Sequence, residues 1–416
     1  MEYLSVLKTA SFVMMIFMTL LFLYQGFYLY IPLFKRLRNP SPSKSLRYAV
    51  LIAARNEEMV LPHLLDSIRA QDYPTDLIDM YVVADNCTDH TAQVAETHGA
   101  TVFKRFNKQL IGKGYALNYL LKQIGSHVGW EKYDAFLIFD ADNLLEPDYF
   151  SNINTLPSAG YQAFCGFRNT KNFGTNWLTS GYGLWYLHES SHMNRSRAIL
   201  DTGCHVNGTG FGFSRQLLEK MGGWNFFTLT EDIEFNNYCA TNGIKIGYCY
   251  DAVLYDEQPL TFAQSWKQRT RWAKGGMQVS FKYVASVLRG LGRKGWQGYT
   301  CFELFTLSFW GFGLGALTAV LTFITTALSV PPITFLFLMG FASMCGYLTM
   351  AFMGLLTVAF EWNRIRATKS EKIISIFTFP FFLMTFVPIS IYAIFSKHQW
   401  DPIAHTVAIS TADLLK

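Results

Sequence analysis

Apolar and polar positions divide the chain into three regimes. From Ser11 to Phe34 the sequence is apolar and carries no charge. As a helix it is long enough to cross the roughly 30 Å hydrocarbon core of a bilayer. From Tyr48 the period changes. The runs Tyr48-Ala-Val-Leu-Ile-Ala53, Ile78-Asp-Met-Tyr-Val-Val-Ala84 and Ala135-Phe-Leu-Ile-Phe139 read as buried strands, with a shorter one from Thr101 to Lys104. Helical patterns running to about Gln71 and from Tyr115 to Ile124 separate them. That alternation predicts βαβ units and an α/β domain with a largely parallel, doubly wound sheet.

Between Phe150 and Ile246 no clean period survives, and Gly, Asn and aromatic residues cluster at Asn169 to Trp185 and Gly203 to Phe213. Such a composition suits a pocket for a polar, ring-shaped ligand, with aromatic faces for stacking and amides for hydroxyls. The segment Gln264 to Lys274 continues into a helical pattern with Phe281, Val284, Val287, Leu288 and Leu291 opposite Lys282, Arg289, Arg293 and Lys294. This is an amphipathic basic helix suited to a membrane interface, although packing on the domain core would produce the same spacing. Three apolar segments follow, about Cys301 to Leu328, Ile333 to Phe360 and Ile373 to Phe395. The expected organisation is an N-terminal transmembrane helix in 1–38, an α/β domain in 39–278, an interface helix in 279–300, a transmembrane region in 301–398 and a tail in 399–416.

Lys35, Arg36, Arg38, Lys44 and Arg47 follow the first apolar segment. By the positive-inside rule they hold the α/β domain in the cytoplasm of a multi-pass protein of the plasma membrane. The segment reads as a retained helix, because its apolar stretch exceeds a signal peptide's and no small-residue cleavage site is evident. Pro331-Pro332 turns the next two segments into a hairpin, and Arg364, Arg366, Lys369 and Lys372 keep the following loop inside. The last segment contains Pro380 and Pro388. If it spans, the tail lies outside; if the prolines break it into a re-entrant piece, the tail stays inside.

Composition fits this picture. The 416 residues are 50% hydrophobic, and the net charge of +5 partly reflects the juxtamembrane clusters. It therefore points to membrane lipids rather than nucleic acid. The seven cysteines form no C-x-x-C pair, as expected in a reducing compartment without structural zinc.

The candidate chemistry lies at strand ends. Asp140-Ala-Asp142 places two oxygen donors at the carboxyl edge of the sheet, where one hard divalent cation can meet both, although an acidic turn capping a helix has the same letters. Asp85 ends the second strand, and Gly112-Lys113-Gly114 opens a helix on the same edge. The first strand is followed by Ala53-Ala-Arg-Asn-Glu57, without the G-x-G-x-x-G of a dinucleotide site, and the Lys113 loop lacks the spacing of a Walker loop. Glu231 and Asp232 open a later helix, where they suit either chemistry or the helix dipole.

In order, Ala54-Arg-Asn-Glu57, Val83-Ala-Asp85, Gly112-Lys113-Gly114, Asp140-Ala-Asp142, Thr230-Glu-Asp232 and Gln268-Arg-Thr-Arg271-Trp272 resemble the motifs of membrane-embedded family 2 glycosyltransferases. That group includes cellulose, hyaluronan and chitin-oligosaccharide synthases. The resemblance covers roughly Tyr48 to Gln278. It implies a GT-A fold and inverting transfer of a sugar, usually from a UDP-sugar, onto an acceptor hydroxyl. It also implies that Ala53, Glu57 and Asp85 contact the nucleoside and Lys113 the diphosphate, and that Asp140 and Asp142 hold Mg²⁺ or Mn²⁺. Asp232 would be the general base, with Glu231, Gln268, Arg271 and Trp272 lining the donor and acceptor side.

The synthases usually carry a Phe-Cys-Gly-like element shortly before Thr-Glu-Asp, where this chain has His205-Val-Asn-Gly-Thr209-Gly, and Phe164-Cys-Gly166 comes too early. His205 is thus a candidate acceptor contact, set against the favoured reading of a packed or solvated histidine. The resemblance implies a processive polysaccharide synthase first and a transferase adding one sugar to a membrane lipid second. A degenerate scaffold or transporter comes third. A second subunit is neither implied nor excluded.

Overall fold

A computed structural model describes residues 2–397 and 405–415. The first apolar run forms α1 (Glu2–Phe34). The α/β domain then runs β1 (Tyr48–Ala54), α2 (Leu61–Arg69), β2 (Ile78–Asp85), α3 (Thr91–Thr97), β3 (Thr101–Arg105), α4 (Lys113–His127), β4 (Ala135–Asp140) and β5 (Leu144–Leu145). It continues through α5 (Tyr149–Ile153), α6 (Thr155–Ser158), β6 (Ala163–Thr170), α7 (Trp177–His188), a π-helical turn (Glu189–Asn194) and α8 (Arg195–Ile199). It closes with β7 (Phe211–Ser214), α9 (Arg215–Met221), α10 (Glu231–Thr241) and β8 (Ile246–Asp256).

The sheet order is β3-β2-β1-β4-β7-β6-β8-β5. As expected, β1 pairs in parallel with β2 and β4, and β2 with β3. Beyond β4 the expectation of a largely parallel sheet fails. β7 runs antiparallel to both β4 and β6, and β5 antiparallel to β8, so the sheet is mixed. β7 lies in the aperiodic middle of the chain and has only four residues, and β5 has only two, both too short to show a period. Alternation along β1 and β4 builds two cores. Leu51, Phe136 and Ile138 face α4 through Leu117, Leu120 and Ile124, while Val50, Ile52 and Leu137 face α2 through Leu61, Leu64 and Leu65.

The C-terminal region comprises α11 (Phe262–Leu291), α12 (Trp296–Thr306), α13 (Phe309–Ala327), α14 (Pro332–Phe360), α15 (Lys369–Met384), α16 (Phe386–Phe395) and α17 (Thr411–Leu414). Among the described residues, four stretches are long and apolar enough to cross a membrane: α1, α13, α14 and the α15 to α16 pair. Two details differ from the sequence expectation. Residue 278 lies within the thirty-residue helix α11, so no break separates the Gln268 to Trp272 motif from its amphipathic continuation. The apolar segment expected from Cys301 starts at Phe309 instead. Cys301 and Glu303 belong to α12, where Glu303 is buried against Arg197 at 3.2 Å and accepts a hydrogen bond from Tyr28 of α1.

The last apolar segment is broken at Thr385, between α15 and α16. Pro380 remains inside α15. Pro388 stands four residues after Met384, where it can neither donate an amide hydrogen bond nor accommodate the preceding turn. Arg269 of α11 fills the break, its Nη1 donating to Thr385 Oγ1 at 2.7 Å and to the Phe382 carbonyl at 3.3 Å. Phe382 and Phe386 lie against its guanidinium, 4.8 and 4.7 Å from ring centre to Cζ. Both ends of the pair touch the rest of the chain: Lys372 donates to the Trp362 carbonyl, and Lys274 of α11 to those of Ala393 and Ile394. The tail after 404 lies against the α/β domain, with Leu414 in its core; residues 398–404 of the expected tail and C-terminal region lie outside the described residues, as does Lys416.

Candidate active site

β4 delivers Asp140 at its last position, and the chain turns at once. The Asp140 amide donates to Thr209 Oγ1 at 3.0 Å and to Asn143 Oδ1 at 3.2 Å. Asp142 is 2% exposed and accepts the Glu257 amide at 3.0 Å. Asn143 donates to Asp256 at 3.2 Å, so the turn is tied to the end of β8. Asp256 also accepts from Arg168 Nε at 2.9 Å, and the Arg168 guanidinium lies 3.7 Å over the Tyr186 ring. Burial pushes the Asp256 carboxyl up to about 6, against the opposing charge of Arg168.

Lys113 is the first residue of α4, and two glycines allow it to sit there. Gly112 has φ +134, a conformation other residues avoid. A Cβ on Gly114 would lie 2.0 Å from the Phe226 carbonyl oxygen. The Lys113 ammonium reaches Asp140 Oδ1 at 2.5 Å, the Gly208 carbonyl at 2.7 Å and Glu231 Oε1 at 3.8 Å. Asp85, at the end of β2, pairs with Arg105 Nη1 at 2.5 Å; burial raises its pKa and Arg105 opposes the shift.

Glu231 and Asp232 open α10. Burial pushes Glu231 up to about 7; Lys113 opposes this and Asp232 adds to it. Asp232 is also raised, chiefly by burial. Arg271 Nη1 donates to the Leu229 carbonyl at 2.9 Å, holding the approach to this helix. Gly275, one turn further along α11, lets the two helices meet: a Cβ there would lie 2.5 Å from Thr230 Oγ1 and 2.8 Å from the Thr230 amide nitrogen. Trp272 sets its ring edge-on to Tyr182 at 5.9 Å between centroids.

The acidic turn, the Lys113 loop, the start of α10 and the α11 motif open onto one cavity of about 370 Å³. Ala53, Glu57, Asp85, Lys113, Asp140, Asp142, Glu231, Asp232, Gln268, Arg271 and Trp272 line it together. His205 is not among the lining residues: it is buried, its amide donating to Asn194 Oδ1 and its carbonyl accepting from Asn194 Nδ2, and burial lowers its pKa well below the ordinary range. The packed alternative describes that geometry.

Sequence reasoning missed Arg168, Trp185, Tyr186, Asp256, Glu257 and His405, all on the cavity wall. Asp256-Glu257 carried a usable signal, an acid pair directly after the apolar run Ala252 to Tyr255, the pattern that drew attention to Asp140. His405 carried none. Its Nδ1 lies 2.9 and 3.1 Å from the two Glu57 carboxylate oxygens. Burial opposes its charge, but Asp142, Glu57 and Glu257 outweigh burial and push it up to about 10.

For a divalent cation the donor set is two hard carboxylates, Asp140 and Asp142, on one turn. No group of three His, Cys, Asp or Glu is arranged to hold a metal among the described residues. The pair suits an ion such as Mg²⁺, which takes one or two carboxylates and completes its shell with substrate phosphates and water.

The sequence profile described as "Glycosyltransferase like family 2" matches residues 46–275, more than half of the chain and the whole of the cavity-bearing sheet. The chain belongs to glycosyltransferase family 2. Among curated relatives, this glycosyltransferase is 28% identical over 243 residues to the beta-monoglucosyldiacylglycerol synthase of Synechocystis, covering 56% of this chain and 48% of that one. It is 24% identical over 244 residues to the poly-beta-1,6-N-acetyl-D-glucosamine synthase of Staphylococcus aureus, covering 58% and 57%. The chain thus spans about half the length of the curated relatives it matches. Among solved structures, the mannosyltransferase PcManGT from Pyrobaculum calidifontis, in complex with GDP-Man and Mn²⁺, superposes with TM-score 0.58 at 18% identity over 94% of this chain and 98% of that one. That likeness supports the GT-A fold of this glycosyltransferase.

Proposed function

We propose that the protein transfers one sugar, with inversion, from a UDP-sugar to a hydroxyl of a membrane lipid. The observation that carries the transfer is the meeting of Asp232 with Lys113, Asp140 and Asp142 across one cavity. As the anomeric carbon leaves its diphosphate oxygen and bonds to the acceptor oxygen, Asp232 takes the acceptor's proton. Lys113 donates to the departing diphosphate, and the buried setting strengthens that interaction. Asp140 and Asp142 would hold Mg²⁺ or Mn²⁺, which supplies further positive charge to the leaving group. Asp85 and Glu57 lie on the nucleoside side, and Gln268, Arg271 and Trp272 toward the membrane helices.

The lipid acceptor is favoured by how the apolar helices pack. A polymer conduit requires helices that enclose a lumen, yet the apolar windows of α1, α13 and α14 are only 11%, 17% and 6% buried within the protein. The α15 to α16 pair, which bends at Thr385 and is tied at its two ends to the Trp362 loop and to α11, supports a re-entrant piece, with site and tail on the cytoplasmic side of the plasma membrane. The polymerase reading keeps one supporting feature, the unbroken helix from Gln268 into an amphipathic face. Incubating purified protein with a panel of UDP-sugars and bilayer lipids, followed by mass analysis, tests this. One hexose on an extractable lipid is expected; a ladder of glycan lengths would overturn the lipid reading.

A further inference from the structure

The tail is held beside the cavity by a clamp that recognises backbone. The amides of Thr406 and Val407 donate to the two carboxylate oxygens of Glu257 at 2.9 and 3.1 Å. Lys171 Nζ donates to the Val407 carbonyl at 2.9 Å and pairs with Glu257 at 3.1 Å. The Lys171 and Glu257 side chains are 2% and 3% exposed, so this is a built interior site rather than a surface encounter. The Glu257 amide is the donor that holds Asp142, so one residue links the clamp to the acidic turn. Because the clamp reads only main-chain groups, what it fixes is the neighbouring side chain. Glu57 orients the His405 ring through Nδ1, and Nε2 faces Asp142 Oδ2 at 4.0 Å.

We propose that the tail is a working wall of the donor site, the Lys171 and Glu257 clamp delivering the His405 imidazole to the diphosphate of the nucleotide. This rests on reading the cavity as a nucleoside-diphosphate-sugar site. His405 stands between Glu57 on the nucleoside side and Asp142 on the metal side, where a diphosphate crosses from one to the other. With Nδ1 held by Glu57, Nε2 is the ring nitrogen turned toward the path of the diphosphate.

Calorimetry on the full chain in detergent, with UDP and uridine as probes, tests it. Wild type binds UDP more tightly than uridine. His405→Ala weakens UDP about tenfold, the loss of one contact to the diphosphate, while uridine stays within about twofold. The paired variant Lys171→Met/Glu257→Met removes both clamp charges together, leaves no unpaired buried ion, and gives the same split between UDP and uridine. Thermal melts establish that each variant is folded. A wild type that binds neither UDP nor uridine removes the reading of the cavity itself. A wild type that binds, beside a His405→Ala variant whose UDP affinity is unchanged or tighter, overturns the tail proposal alone. Equal loss of UDP and uridine also overturns it, because the contact would then be to the nucleoside.

Discussion

Lys113 Nζ lies 2.5 Å from Asp140 Oδ1, so the ammonium expected to meet the diphosphate is paired with a metal-side carboxylate in the free protein. Burial lowers the Lys113 pKa, but Asp140 and Glu231 outweigh it, so the net shift is upward and the charge is retained. Lys113→Ala removes the donor proposed for the leaving group and is expected to lower kcat by about 10² to 10³. Steady-state kinetics with saturating donor measure it; a change in KM alone would place Lys113 in ground-state binding.

Asp232→Asn keeps the shape of the side chain and removes its basicity. Transfer is expected to fall by about 10³ or more while UDP affinity stays within about threefold. Product assay beside calorimetry separates the two, and near wild-type turnover would remove Asp232 from the base role.

The acid limb of kcat/KM is expected well above the ordinary carboxylate range, because burial raises both Glu231 and Asp232. As pH falls through about 7 Glu231 takes up a proton, and because Glu231 and Asp232 interact the limb belongs to the pair. The sign for stability is opposite. A carboxyl raised in the folded state binds more protons folded than unfolded, so its contribution is complete below the unfolded value and lost as pH rises through about 7. Rate profiles and melting temperatures across pH 5 to pH 8 (about the window of these shifts) check both; a limb near pH 4 would overturn this assignment.

Gly275→Ala places a methyl group where Thr230 already stands. A rigid helix cannot absorb that overlap without moving the start of α10, and a shift of about 1 Å at Asp232 costs about 10² in rate. The expected signature is a large loss of kcat with a smaller change in thermal stability. Unchanged kcat would show that α10 yields freely.

Chelation with EDTA is expected to abolish transfer, and added Mn²⁺ or Mg²⁺ to restore it. Asp142→Asn should blunt the restoration, since this nearly buried carboxylate is one of only two on the turn. Full activity in EDTA would remove the metal from the reaction.

The parts of the fold legible in the sequence are those whose periodicity is local. β1, Met80 to Ala84 of β2 and Ala135 to Phe139 of β4 are continuous apolar runs; Asp85, Asp140 and Asp142 follow from their ends, and Lys113 from the glycine-flanked start of α4. Contacts made across long sequence separations left no local trace. Glu57 and His405 are 348 residues apart, and nothing near either names the other. The same holds for Arg269 and Thr385, and for β7, whose direction depends on both its neighbours rather than on its own four residues.

The catalytic region and the apolar helices share one interior. Val358, Ile376, Phe379, Phe382 and Leu414 belong to the same buried cluster as Leu51, Phe136 and Ile138 of the sheet. A fragment cut at the limits of the family match, residues 46–275, would end inside α11, open that cluster to water and strip Arg269 of its partners on α15 and at the break. A fragment of the matched residues alone is therefore expected to lack part of its own core, so the apolar helices packed on the sheet serve as a structural half of the enzyme body and not merely as its attachment.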